Sequence, residues 1–345
     1  MRIGIISPLE MRVPPVAYGG TELIVSLLTE EFVERGHEVT LFASGDSLTR
    51  ARLIGVCSNY LRGSNREKYI LNMLNAVACM EKASEFDIIH NNTQLEGMSL
   101  SSLVKTPMLT TLHGNLKGDW RLLFDHYTGW YNTISNSAKS LLPEKERFAG
   151  VIYNAIDVRK FPFNGNKMGS YLLFLSRISH EKGPHLAIEV AKKVGMKLII
   201  AGNVDASDEK YFRTEILPRV DGDLVKYVGE ADFEQKIELM SGAFCLLAPI
   251  TWPEPFGLFM IESMACGTPV IVLNKGSAPE VVVHGETGFV VDTLNEMIEA
   301  VYKIPQINKA ECRRHVEKKF DAPRMADDYL KAYDKVLSGE LVAQR

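Results

Sequence analysis

The chain has 345 residues, which is long for a single hydrophobic core and favours two domains. Hydrophobic residues make up 46% of it and charged residues 24%, a composition that excludes a disordered chain and is typical of a soluble globular protein. The net charge of −4, without a dense basic run, gives no support to nucleic-acid binding.

The cysteines and the N-terminus indicate a cellular compartment. Five cysteines are scattered, mostly in apolar surroundings, which favours buried thiols in a reducing compartment over a disulfide framework or a zinc site. The N-terminal apolar run, residues 1–8, is shorter than the core of a signal peptide. No stretch approaches the roughly 18 apolar residues that span a bilayer. We therefore expect a cytoplasmic protein, and the sequence leaves peripheral membrane contact open without indicating it.

In chain order, short apolar runs alternate with helical patterns, which predicts βαβ units and parallel sheets. In the first half, strands are predicted at 2–7, 38–43, 87–90, 108–112, 131–134 and 150–153, with helices at 21–34, 66–83 and 138–142. In the second half, strands are predicted at 171–175, 197–200, 225–228, 243–247, 269–273 and 288–290, with helices at 183–194, 233–240, 258–265 and 294–304.

Two such series predict two doubly wound α/β domains. We expect them at residues 1–160 and 161–323, and the irregular stretch 157–169 is the predicted linker. The C-terminal segment, 324–345, begins with a helical pattern that can pack back on the first domain.

Polar residues and glycines follow several predicted strands. Open α/β sheets bind ligands there, beyond the carboxyl ends of the strands. Gly19 and Gly20 follow the first strand, where they allow close approach of a phosphate or form a structural turn. The larger pattern Gly-x-Gly-x-x-Gly is absent there, which argues against a dinucleotide cofactor. His90 and His113 each follow an apolar run, and the sequence leaves catalytic and structural roles open for both.

The loop after the first strand of the second series carries Arg177 and Lys182. Two cations on such a loop can bracket a diphosphate, Arg through its fork geometry and Lys as a point charge. The alternative is a solvated loop with ordinary charges.

The segment from Glu254 to Glu262 is the most informative one. Pro255 and Gly257 mark a turn, and the apolar run 258–265 predicts a buried helix. Free amides at a helix start attract anions, yet two carboxylates flank this one. The pattern predicts a ligand that is both anionic and rich in hydroxyls, as a nucleotide-sugar is.

Asp221 and Asp223 form an Asp-x-Asp pattern that can mark a metal site. Asp-Gly is also a strong turn signal, and here it directly precedes a predicted strand. The turn interpretation is favoured, so no metal site is predicted.

Together these residues resemble the retaining glycosyltransferases of family 4, also called glycosyltransferase group 1. Members of that family have the GT-B fold, which consists of two Rossmann-like doubly wound domains with an interdomain cleft. The matching residues are Gly19, Gly20, His113, Asn154, Arg177, Lys182, Gly229, Glu230, Glu254 and Glu262.

The resemblance implies that Arg177 and Lys182 hold the donor diphosphate and stabilise the departing nucleotide. It implies that Glu254 binds sugar hydroxyls near the reacting carbon and that Glu262 binds the ribose hydroxyls. The remaining implied donor contacts are Gly20 at the phosphates, His113 at the donor sugar, the amides of Phe256, Gly257 and Leu258 at sugar and phosphate, and Asn203, Gly229 and Glu230 at the nucleobase. His90 and Asn154 are placed on the acceptor or sugar side.

The resulting prediction is a retaining, metal-independent glycosyltransferase without a cofactor. It would move a hexose from a nucleotide-sugar, with UDP-glucose favoured, to a hydroxyl of an unknown sugar, lipid or small molecule. Two alternatives stay open: an isomerase like the UDP-sugar 2-epimerases, and a non-catalytic nucleotide-sugar binding protein.

Overall fold

The computed structural model describes residues 1–16, 19–116, 118–163, 165 and 168–339. It divides the chain into two compact units: unit 1 contains Met1–Asn154 and the segment that begins at Ala322, and unit 2 is Ala155–Asp321. Each contains one parallel sheet with helices on its faces, so the predicted α/β class with two doubly wound sheets is confirmed.

The boundary between the two units lies between Asn154 and Ala155, six residues before the predicted boundary at 160/161. Ile156 donates its N–H to the carbonyl of Phe320 at 2.9 Å and forms a β-bridge with Asp321, which ties it to unit 2. Positions 164, 166 and 167 of the predicted linker and 340–345 of the predicted C-terminal segment lie outside the described residues.

Unit 1 has a seven-stranded parallel sheet in the order β3-β2-β1-β4-β5-β6-β7. The strand order reverses between β1 and β4, so this is the topological switch point of the sheet. Most residues of its strands are buried because helices cover both faces. They are β1 (Arg2–Ile6), β2 (Glu38–Phe42), β3 (Arg52–Ile54), β4 (Ile88–Asn91), β5 (Met108–Leu112), β6 (Trp130–Thr133) and β7 (Phe148–Val151).

The helices of unit 1 include one that is supplied by the end of the chain. They are α1 (Gly20–Glu34), α2 (Lys68–Met80), α3 (Leu95–Leu100), α4 (Asp119–His126), α5 (Asn136–Ser140) and α13 (Ala322–Ser338). Helix α13 packs against α1 and the sheet, and the buried side chains of Tyr329 and Tyr333 make hydrogen bonds beneath β4 and β5.

Unit 2 has a six-stranded parallel sheet in the order β10-β9-β8-β11-β12-β13. Its order reverses between β8 and β11, which places a second switch point between two strands that are far apart in sequence. The strands are β8 (Tyr171–Leu175), β9 (Leu198–Ala201), β10 (Val225–Tyr227), β11 (Ala243–Ala248), β12 (Val270–Leu273) and β13 (Gly288–Val291).

Local capping explains where several helices of unit 2 begin. Helix α8 begins with a capping box in which the Asp232 carboxylate accepts from the Gln235 N–H and the Gln235 side chain accepts from the Asp232 N–H. The helices are α6 (Pro184–Val194), α7 (Glu209–Tyr211), α8 (Phe233–Gly242), α9 (Leu258–Ala265), α10 (Ala278–Val281), α11 (Leu294–Lys303) and α12 (Lys309–Lys319). Over the described ranges of both units, no helix combines the length and hydrophobicity needed to cross a membrane.

Candidate functional site

Two loops of unit 2 meet at the switch point between β8 and β11. Gly183 has a φ of +76°, and a Cβ there would lie 2.2 Å from the carbonyl oxygen of Pro249, so only glycine permits this approach. The N–H of Thr251 donates to the carbonyl of Glu181 at 2.9 Å. The loop that carries Arg177 and Lys182 is thereby fixed against the loop that carries Glu254.

Lys182 and Glu254 form a buried ion pair at this meeting point. Their residues are 5% and 8% exposed, and the Lys182 ammonium donates to Glu254 Oε2. The indole N–H of Trp252 donates to the same oxygen at 3.0 Å. The ammonium also lies 5.5 Å from the Trp252 ring and 5.8 Å from the Phe259 ring, close enough for cation–π attraction. These contacts offset the cost of burying both charges.

The segment behind Glu254 is supported by the loop after β12. Gly276 has a φ of +59°, and a Cβ there would lie 2.3 Å from the backbone of Glu254. Ser277 donates its N–H to the Glu254 carbonyl and its hydroxyl to the Phe256 carbonyl, each at 2.9 Å. The backbone of residues 254–256 is therefore held on the side of β12.

Helix α9 begins directly after Gly257, whose φ of +82° is one that side-chain-bearing residues rarely adopt. Within the described ranges, no side chain caps this helix start. Leu258 is its first residue, as predicted. The Phe256 side chain is 2% exposed and packs on Phe320, with the two ring centroids 5.7 Å apart. Only the backbone of Phe256, and not its ring, is suited to a ligand.

Arg177 faces three carboxylates in this structure. Its guanidinium donates to Glu181 Oε1 at 2.5 Å and to Asp208 Oδ2 at 3.1 Å, and it lies 3.6 Å from Asp205 Oδ2. The side chain keeps about a quarter of its surface exposed. Arg177 is thus a partly accessible cation whose charge is offset by acids of its own unit.

Glu262 is also paired with a lysine. It lies on α9, its side chain is 5% exposed, and its Oε1 accepts from Lys236 Nζ at 2.8 Å. Lys236 lies on α8 and was not among the residues predicted from the sequence. Each glutamate of the Glu254–Glu262 segment therefore has one oxygen bound by a lysine.

The predicted nucleobase contacts follow neighbouring strands. Asn203 follows β9, and Gly229 and Glu230 follow β10, with Gly202 donating to the Gly229 carbonyl at 2.8 Å. The Asn203 amide donates to Asp205 Oδ1 at 2.8 Å. The structure brings all three residues to the carboxyl edge of the sheet that also carries Arg177.

The predicted contacts in unit 1 follow β1, β5 and β7 of their own sheet. A Cβ at Gly19 would lie 2.8 Å from Pro15, and Gly20 is the first residue of α1. In the first turn of α1, Glu22 Oε1 accepts from the Met11 N–H at 3.1 Å. Burial of this carboxyl group raises the pKa of Glu22 to about 7, against the opposing effect of the backbone hydrogen bonds.

His113 lies beyond the end of β5 and pairs with Asn92 beyond the end of β4. The distance from His113 Nε2 to Asn92 Oδ1 is 2.9 Å. Burial lowers the pKa of His113 to about 4, so the ring is neutral at physiological pH. His113 Nδ1, Asn92 Nδ2 and Asn154 Oδ1 have no hydrogen-bond partner among the described residues although they are buried, as expected of groups that a polar ligand could satisfy.

His90 does not have the position that the acceptor or sugar side requires. It is fully buried, with Nε2 2.7 Å from Thr111 Oγ1 and Nδ1 2.8 Å from the Tyr333 hydroxyl. Burial is the main reason that the pKa of His90 falls to about 3, with the nearby His113 adding to it. With both ring nitrogens bonded inside the core, His90 joins α13 to the sheet and has no free atom for a sugar.

Asp221 forms the turn that the sequence favoured over a metal site. Its Oδ1 accepts from the N–H groups of Asp223, Leu224 and Val225 at 2.9 to 3.0 Å, and these bonds lower the pKa of its carboxyl group. Among the residues that the structure describes, no group of three or more His, Cys, Asp or Glu side chains is arranged to hold a metal.

Comparison with known proteins agrees with this arrangement. The family "Glycosyl transferases group 1" matches residues 156–319, and "Glycosyltransferase Family 4" matches residues 18–160. YtcC of Bacillus subtilis (strain 168), a glycosyltransferase by name, is 26% identical over 98% of this chain and 93% of its own.

Two solved structures of the same fold each cover 98% of this chain. Sucrose-phosphate synthase from Thermosynechococcus elongatus has a TM-score of 0.82 at 20% identity, covering 98% of this chain and 100% of that one. Anabaena Alr3699/HepE, solved in complex with UDP-glucose, has a TM-score of 0.72 at 18% identity with the same coverage. The predicted GT-B fold is confirmed. The two family matches together span residues 18–319, and the chain belongs to the group 1, family 4 glycosyltransferases.

Proposed function

We propose that this glycosyltransferase moves a hexose from a nucleotide-sugar, with UDP-glucose favoured, to a hydroxyl acceptor, with retention of configuration and without a metal ion. The observation that carries the proposal is the cluster of Lys182, Arg177 and Glu254 at the switch point of unit 2. It combines two cations for a diphosphate with a buried carboxylate for a sugar.

The cations supply what the leaving group needs. When the bond between the anomeric carbon and the phosphate oxygen breaks, the nucleoside diphosphate gains negative charge. The Arg177 guanidinium and the Lys182 ammonium, together with the uncapped start of α9, stabilise that charge. Fixed cations of this kind perform the task that a divalent ion performs in metal-dependent transferases, which supports the metal-independent reaction.

Glu254 orients the donor sugar. Lys182 and Trp252 both bind Oε2, and no other hydrogen bond reaches the Glu254 carboxylate in the described part of the chain, so Oε1 is left for a sugar hydroxyl. The same carboxylate faces the positive charge that develops on the anomeric carbon. In the proposed reaction the acceptor oxygen bonds to that carbon on the face the diphosphate leaves, and the acceptor proton passes to the departing phosphate.

The choice of UDP-glucose rests on the resemblance described above and on the UDP-glucose complex of the Anabaena relative. A panel of UDP-, GDP- and ADP-sugars tests it by thermal shift and by slow hydrolysis, with and without EDTA. We expect a UDP-sugar to give the largest shift and to be hydrolysed to the retained α-sugar, with no effect of EDTA.

The other outcomes of this panel discriminate the alternatives. Binding without hydrolysis or transfer would support a binding protein. Conversion of UDP-N-acetylglucosamine to its 2-epimer would support an isomerase. Loss of activity in EDTA that Mg²⁺ or Mn²⁺ restores would contradict the metal-independent reaction.

Glu254→Gln is the sharpest single variant. Glutamine keeps the volume and an acceptor oxygen but loses the charge, and we expect transfer to fall by about 100-fold or more. Glu254→Ala should also abolish transfer, but it leaves the buried Lys182 unpaired and so risks the fold. Glu234→Gln, on the exposed start of α8, is the matched control and should leave activity unchanged. Full activity of Glu254→Gln would contradict the assignment.

A further inference from the structure

Glu262 is a buried carboxylate whose orientation depends on a neighbouring helix. Its side chain is 5% exposed on α9, and Lys236 on α8 donates to Oε1 at 2.8 Å. In the described part of the chain no other hydrogen bond reaches this side chain. Lys236 keeps about a quarter of its side chain exposed, so it lies between the buried acid and solvent.

The Lys236–Glu262 ion pair fixes the direction in which Glu262 presents its second carboxylate oxygen. A carboxylate that is free to rotate presents either oxygen, whereas one held by an ammonium at Oε1 presents Oε2 in a single direction. Recognition of hydroxyl groups depends on that direction because hydrogen bonds weaken steeply away from linearity. The Lys236 ammonium has three N–H donors, and only one of them is used by Glu262.

We propose that Lys236 is a positioning residue that fixes the Glu262 carboxylate for recognition of the ribose hydroxyls of the donor. This inference rests on the proposed function, since it takes a nucleoside diphosphate as the ligand of unit 2. It assigns Lys236 a role in selecting ribonucleotides over deoxyribonucleotides and no direct role in holding the diphosphate.

The test compares ligands that differ only in the ribose. Dissociation constants are measured for UDP, 2′-deoxy-UDP, 3′-deoxy-UDP and inorganic pyrophosphate, with the corresponding ADP and GDP sets in parallel. For the base that binds best, the wild-type protein should prefer the ribonucleotide over at least one deoxy form by about tenfold or more, the usual effect of losing a hydrogen bond to a charged group.

Lys236→Met should reduce that preference to within about threefold while pyrophosphate affinity stays within about twofold. Lys236→Arg retains a cation and should restore most of the preference. Lys226→Met, at an exposed position of β10 in the same unit, is the matched control and should behave as wild type. Thermal unfolding midpoints identify any variant that fails to fold.

Three results would overturn the inference: an unchanged ribose preference in Lys236→Met, a wild-type protein that binds UDP and its deoxy forms equally, or a pyrophosphate affinity that falls with the nucleotide affinity. The last would place Lys236 on the phosphates. These failures differ from failure of the proposed function, in which the wild-type protein binds no nucleoside diphosphate of any base.

Discussion

Trp252 is a residue whose chemistry becomes evident only beside Glu254 and Lys182. Two donors meet on Glu254 Oε2, one cationic and one neutral. The ammonium alone would leave the carboxylate free to pivot about a single contact. The indole adds a second direction and covers the ammonium with an aromatic face.

Trp252→Phe keeps that aromatic face and removes the N–H donor. A net loss of about 1 to 2 kcal/mol predicts a fall in kcat of about 5- to 30-fold, with KM changed less because the donor diphosphate contacts remain. Trp252→His, which retains an N–H group, should recover part of the loss. Steady-state kinetics check this, and a fall confined to KM would contradict it.

Glu22 shows how burial couples one residue to pH. Burial raises the pKa of Glu22 to about 7, whereas an unfolded glutamate titrates near 4.5. Below about pH 4.5 the Glu22 carboxyl group is protonated in both the folded and the unfolded state, so its burial does not lower the free energy of unfolding through ionisation. Between about 4.5 and 7 only the folded state keeps the proton, so the stability that this group contributes falls as pH rises, by about 1.4 kcal/mol per pH unit.

Glu22→Gln removes that titration. We expect the variant to gain about 2 to 3 kcal/mol over wild type between pH 5 and pH 8, measured as the difference in unfolding free energy at the two values. Glu81→Gln, an exposed glutamate of the same unit, should show no such gain. A pH-independent difference between Glu22→Gln and wild type would refute the buried-acid explanation.

At the scale of elements, the start of α9 depends on one backbone conformation. Gly257 has a φ of +82°, and Gly36, in the turn between α1 and β2, has a φ of +81° with open space around it. Alanine at either position is strained by about 1 to 2 kcal/mol. At Gly257 a Cβ would also lie 2.6 Å from Met260 Cε, the end of a flexible side chain that can move aside, so the strain falls on the backbone at the start of α9.

Gly257→Ala and Gly36→Ala therefore separate strain from function. Both should lower the thermal unfolding midpoint by a similar amount. Only Gly257→Ala should weaken binding of the best nucleotide, by about fivefold or more, since about 1 kcal/mol of lost amide contact has that effect. Equal affinities in the two variants would mean that the start of α9 does not contact the ligand.

Most elements could be predicted because long buried strands and periodic helices leave clear patterns. Strand β3 could not, because three residues are too few for a pattern. The helices α3, α4, α7, α10 and α12 were not predicted either. Strand β7 was predicted at 150–153 and lies two residues earlier, at Phe148–Val151.

Within the site, the sequence indicated residues that follow strands but not their partners. His90 lies near the end of β4 and His113 directly follows β5, and what separates them is Tyr333, which lies 243 residues from His90. Lys236 was missed because its contact arises from packing of α8 on α9. Trp252 had a local signal, two residues before Glu254, that was not used.

At the scale of the whole molecule, the candidate site residues of both units lie at the carboxyl ends of the parallel strands. Candidate residues follow strands in each unit: Gly20 and His113 in unit 1, and Lys182 and Glu254 in unit 2. The opposite ends carry grooves lined by residues such as Arg2 and Arg52 in unit 1 and Lys197 and Lys226 in unit 2. Nothing in the sequence predicted a ligand site at these amino ends of the strands.

Hydrogen exchange with and without UDP tests this placement. We expect UDP to slow exchange of amides after β8 and β11 and at the start of α9, and to leave amides at the opposite strand ends unchanged. Slower exchange after β1 and β5 would support the predicted contacts of Gly20 and His113. Protection confined to the amino ends of the strands would contradict the site.

The path of the chain has a consequence for its synthesis. Unit 2 is one continuous segment, whereas unit 1 needs α13, whose tyrosines satisfy the buried groups of His90 and Thr111. During translation the strands β1 to β7 therefore cannot complete their core until α13 has emerged from the ribosome. Unit 2, although encoded later, is the first unit whose elements have all been synthesised. Until α13 emerges, the strands of unit 1 lack the tyrosines that bind the buried polar groups beneath their sheet.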